Sequence, residues 1–149
     1  MIRKILKKKI NFFIILVAIL LLACIRIFES NLFYDPFIAF FKSEFYHKQL
    51  PFFYQGKLFL NILFRYLLNS SISLVIIYFL FKEKQLLKLS FYLYTVLFLI
   101  LIIVFFGYLN YTKNPNFMIL FYIRRFLIQP LLLVLFIPAF FYQKKLTNK

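Results

Sequence analysis

The sequence predicts an all-α, polytopic membrane protein, and three observations predict it. Hydrophobic residues make up 64% of the 149, aromatics make up 23%, and mean hydropathy is +0.89, which no ordinary soluble domain matches. Four segments stay apolar for roughly 20 residues, the helix length needed to cross about 30 Å of hydrocarbon. The lysines flank these segments instead of forming a basic face, so the formal charge of +15 is directed at membrane lipids, and no nucleic-acid partner is expected.

The predicted spans run from Ile10 to Phe28, Leu58 to Phe81, Leu89 to Leu109 and Phe117 to Tyr142. They form one domain, because all four are needed to hide the arginines they carry from lipid. The first span follows a lysine-rich start and ends at Arg26, which can reach headgroups or pair with Glu29. Leu21 to Cys24 resembles a lipoprotein processing site. The apolar run continues through Ile25, Ile27 and Phe28, however, so an uncleaved helix is expected.

The loop from Glu29 to Lys57 holds three of the four acids, Glu29, Asp35 and Glu44. Asp35 before Pro36 is a helix-start signal: the carboxylate caps free N–H groups, and proline is tolerated in the first turn. Phe37, Phe40, Phe41 and Phe45 follow at helical spacing, opposite Lys42 and Ser43. This predicts a short amphipathic helix on the outer membrane surface, either a plain interfacial anchor or a lid over a site. Pro51 and Gly56 mark the turn into the next span.

The second span carries Asn61, Arg65, Asn69 and Ser73 at successive i+4 steps, which is one helix face, and that face should point inward. The fourth contains Arg124 and Arg125, with Gln129 four residues after Arg125. Pro130 removes a backbone hydrogen bond near Phe126 and predicts a kink with a freed carbonyl. Arg65 lies seven residues beyond Leu58 and Arg124 seven beyond Phe117, so both are expected about 10 Å inside the outer boundary.

Orientation follows from the flanking cations. With the N-terminus inside, eleven lysines and arginines fall on the cytoplasmic side and four on the other, so both termini are expected in the cytoplasm. A charge at bilayer depth costs from about 2.5 to well over 10 kcal/mol, so the arginines need partners. Arg65, Arg124 and Arg125 are expected to form one cluster with Asn61, Asn69 and Gln129. One reading is a structural staple held by helix carbonyls and the loop acids Asp35 and Glu44. The other is a site for a lipid phosphate or a partner's carboxylate. Neither calls for a cofactor.

A single cysteine excludes an intramolecular disulfide and a multi-thiolate metal site. Cys24 sits in an apolar helix that disfavours its thiolate, and nothing in the spacing aims His47 at it, so no catalytic or metal-binding residues are expected.

Three blocks carry a resemblance: Arg26-Ile-Phe-Glu-Ser-Asn-Leu-Phe-Tyr-Asp-Pro-Phe, Leu63-Phe-Arg-Tyr-Leu-Leu-Asn-Ser-Ser-Ile-Ser-Leu and Phe121-Tyr-Ile-Arg-Arg-Phe-Leu-Ile-Gln-Pro-Leu. They resemble the exosortase F-associated family, small membrane proteins of Bacteroidetes encoded beside an exosortase. The resemblance implies an inner-membrane role beside exosortase F, in a system that handles C-terminal sorting signals. It implies no catalytic residues, since the Cys, Arg and His set of exosortases is not reproduced. The expected function is thus a non-enzymatic accessory or assembly subunit. The alternative is a small module that binds or transports an anionic lipid-linked substrate through its arginines.

Overall fold

The computed structural model describes residues 2–44, 49–129 and 131–147. Seven helices follow in order: α1 (Ile2–Ile27), α2 (Glu29–Leu32), α3 (Pro36–Lys42), α4 (Gln55–Phe81), α5 (Lys84–Tyr111), α6 (Phe117–Ile128) and α7 (Leu131–Thr147). Among the described residues there is no strand.

Three helices are long and apolar enough to cross a membrane on their own: α1 from Lys7, α4 and α5. Helices α6 and α7 pass the same test only together, bent by 62°. The pair still runs the length of the bundle. At one end Asn116 caps α6 through Met118 N and donates its own N–H to Tyr108 Oη at 2.7 Å. At the other, Lys144 of α7 reaches the Phe81 carbonyl and pairs with Glu83 at 3.0 Å.

The break departs from the expectation of one kinked span. Gln129 is extended (φ −105°, ψ 144°), the conformation that a following proline imposes by steric clash. Pro130 itself lies outside the described residues. The break also frees the carbonyl of Ile128, two residues beyond Phe126, and Asn69 Nδ2 meets it at 2.8 Å. Ile128 would otherwise accept a bond one turn further on, so the amide replaces a lost helix bond.

Helix α1 is the least embedded, and its inward stripe of Ile15, Ala18 and Leu22 follows helical spacing. Phe12, Phe13, Leu16, Ile19, Leu20 and Leu21 are exposed, as expected for side chains whose solvent is lipid. Helix α4 is the central element, packing against α1, α5, α6 and α7. Its Tyr66 hydroxyl donates to the Tyr94 carbonyl of α5 at 2.7 Å, a polar tie between two apolar helices. At the foot of α4, Lys82 takes a left-handed conformation (φ 54°) and closes the helix by donating to Tyr78 O at 2.8 Å.

Helix α3 forms where the Asp35-Pro36 signal placed it, with Asp35 Oδ1 accepting from Phe37 N at 3.1 Å. Its aromatic face is turned into the end of the bundle. Phe37 is fully buried and meets Phe105 of α5, while Phe40 packs against Phe117 of α6. The aromatic residues that predicted surface anchoring are therefore the plug of one end of the bundle. Phe45 and His47 lie outside the described residues.

Candidate functional site

The polar stripe of α4 points inward as its i+4 spacing requires. Arg65, Asn69 and Ser73 are buried, and Asn61 is half-buried where the α2–α3 segment crosses it. Asn61 Oδ1 accepts from Tyr34 N at 3.0 Å and Nδ2 donates to Lys57 O, so this residue fixes the loop to the top of α4. Ser70 and Ser73 return their hydroxyls to the carbonyls of Tyr66 and Asn69 on the same helix.

The loop lowers two carboxylates into the bundle. Glu29 opens α2 and its Oε2 binds both Arg26 Nη1, at 2.8 Å, and Arg65 Nη2. Asp35 Oδ2 accepts from Arg124 Nε at 3.2 Å and Nη2 at 2.5 Å, and lies 3.6 Å from Arg65 Nη1. The Asp35 side chain is 4% exposed, and those of Arg65 and Arg124 are 3% and 8% exposed. Arg65 and Arg124 thus share one carboxylate oxygen and sit at one level, as the residue count from each span's end anticipated.

Aromatic rings cap the buried guanidiniums. Phe33 lies 5.3 Å from Arg65 Cζ and Phe41 lies 5.7 Å from Arg124 Cζ, close enough for cation–π attraction in a medium of low dielectric. Two carboxylates between three guanidiniums lower the mutual repulsion that an all-arginine cluster would suffer.

Two expected members fall outside this network. Arg125 points away from Arg65 and Arg124; it is exposed and its Nε donates to Gln129 Oε1 at 3.1 Å. Neighbours in a helix face directions about 100° apart, so Arg124 turns to Asp35 while Arg125 turns to Gln129. Glu44 is exposed and makes no ion pair among the described residues. Besides Asp35, the acid that reaches Arg65 is Glu29, which the sequence assigned only to Arg26. Its signal was the short spacing from the end of the first span, which leaves too little chain to carry Glu29 away from the bundle.

Beside the ion pairs lies a cavity of about 290 Å³ whose charged wall is Arg26, Glu29, Lys42, Arg124 and Arg125. Gln129, Phe41 and Ile128 contribute to it as well. Among the described residues no three His, Cys, Asp or Glu side chains come together to hold a metal. Cys24 is exposed on α1, which runs unbroken past it to Ile27.

These features define the class: a polytopic all-α membrane protein with a loop-neutralised arginine site at one end of its bundle. The chain matches no family model, no curated protein and no solved structure.

Proposed function

We propose that this protein is a non-enzymatic accessory or assembly subunit of an exosortase-type protein-sorting system, seated in a bacterial inner membrane with both termini cytoplasmic. One observation carries this reading. The three sequence blocks that resemble the exosortase F-associated family are far apart in the chain, and they supply one site. Arg26, Glu29 and Asp35 come from the first, Arg65 and Asn69 from the second, and Arg124, Arg125 and Gln129 from the third.

A likeness produced by biased membrane composition alone would scatter over lipid-facing positions. The blocks do carry lipid-facing residues such as Phe64 and Tyr122, but polar side chains from all three meet at one end of the bundle, which supports a shared functional unit. In this reading the ion pairs and aromatic plug hold that end of the bundle rigid as a docking end for the exosortase, a role that asks for shape and charge and no reacting group.

Co-expression with an exosortase F, followed by affinity purification in a mild detergent, tests the reading. The two chains are expected to elute together. An exosortase that elutes alone, while this chain is intact in the same membranes, would overturn it.

A further inference from the structure

The basic cavity has an apolar neighbour. A second cavity, of about 400 Å³, is lined by Ile19, Leu22, Ala23 and Ile25 of α1, by Arg65 and Asn69 of α4, and by Val134 of α7. Arg26, Ile128 and Gln129 line both cavities, so the two volumes share a wall. We propose that together they form one binding site for an amphiphile with a phosphate-like anionic headgroup. The headgroup sits against Arg125, Lys42 and Arg26, and a hydrocarbon tail lies between α1 and α7. This goes beyond the accessory role and does not depend on it.

Charge is the first argument. Of the four cations that wall the basic cavity, Arg26 is paired with Glu29 and Arg124 with Asp35, so Lys42 and Arg125 are left without an acid among the described residues. Asp35 is already committed to Arg124 and Arg65. Among the described residues Arg125 uses only Nε, on Gln129, which leaves its two terminal nitrogens, the pair suited to bidentate contact with a phosphate.

Arg65 is the second argument. The residue is 2% exposed and lines the apolar cavity, yet its Nε and Nη1 have no hydrogen-bond partner among the described residues. Buried guanidinium donors are rarely left this way, because each unmet donor keeps its desolvation penalty. An ester oxygen at the junction of headgroup and tail, entering beside Asn69, would offer them an acceptor.

Access is the third. Ile19 and Val134, which line the apolar cavity, are 51% and 68% exposed on the apolar faces of α1 and α7, so a hydrocarbon tail can enter there from lipid. Separate volumes of about 290 and 400 Å³ fall within or just below the usual range for small-molecule pockets, roughly 300 to 1,000 Å³. A free anion would leave the apolar half unexplained, and a neutral lipid would leave the cations unexplained.

The test uses the full chain, purified without the exosortase into mild detergent, and native mass spectrometry with phosphatidylglycerol and phosphatidylcholine of identical chains. Wild type is expected to retain phosphatidylglycerol over phosphatidylcholine by about tenfold, the order of one charge-assisted contact. Lys42→Leu with Arg125→Leu should abolish that preference without lowering the melting temperature. Ala23→Phe should cut retention of phosphatidylglycerol by filling the apolar half. Inorganic phosphate should not displace the lipid. Equal retention of the two lipids by wild type would overturn the proposal. So would displacement by phosphate with Ala23→Phe unaffected, which marks a free-anion site. Because no exosortase is present, either failure leaves the co-purification result to stand or fall separately.

Discussion

Asp35 Oδ2 lies 2.5 Å from Arg124 Nη2, across 89 residues of sequence, while Asp35 Oδ1 caps the first turn of α3. One side chain therefore starts a helix and neutralises a buried arginine. Asparagine caps nearly as well as aspartate, so Asp35→Asn isolates the second task. It is expected to destabilise the protein by about 3 to 5 kcal/mol, because it leaves Arg124 buried without a counter-charge. Unfolding in detergent or bicelles followed by circular dichroism measures this.

Arg125 gives the opposite expectation. Its guanidinium is exposed and, among the described residues, bonded to Gln129 alone, so Arg125→Leu should change stability by no more than about 0.5 kcal/mol. Arg65→Leu, in the same measurement, should cost several times that, since Glu29 would keep only the half-exposed Arg26 as a partner.

The broken fourth crossing depends on an amide. Asn69→Leu leaves the Ile128 carbonyl without its donor, and a loss of about 0.6 to 2 kcal/mol is expected, the lower figure being typical of hydrogen bonds between membrane helices. Asn69→Gln, one methylene longer, should recover little of it.

Lys82 occupies a left-handed helix-ending position that favours glycine. Lys82→Gly is expected to stabilise the protein by about 0.5 to 1 kcal/mol in the same assay. It also removes one of the cations on which the orientation rests.

Orientation is checked by labelling. In a Cys24→Ser background, a cysteine at Lys113 should react with a membrane-impermeant maleimide in whole cells, and one at Gln85 only after the cells are opened. Both positions are exposed.

Much of this architecture was legible because each signal was local. Composition and span length predicted the crossings, Asp35-Pro36 predicted α3, and the i+4 run from Asn61 to Ser73 predicted the inward face of α4. The failures concern long-range partners. Phenylalanine spacing in α3 reads alike for a lipid surface and for a bundle end, because both are apolar. Arg124 and Arg125 look equivalent in sequence, and only the azimuth of α6 separates an interior side chain from an exposed one. Glu29 was assigned to its neighbour Arg26 because α2, the turn that aims it at Arg65, is too short to leave a pattern.

The central claim is that the loop, and not a bound ligand or partner, neutralises the arginines within the bundle. A double-mutant cycle with Asp35→Asn and Arg124→Gln, measured as unfolding free energy of the isolated protein, addresses it most directly. The ion pair seen here predicts a coupling of at least about 1.5 kcal/mol, with the double variant more stable than the sum of the single losses implies. Losses that add within about 0.5 kcal/mol would mean that the two side chains do not meet, and would contradict the account.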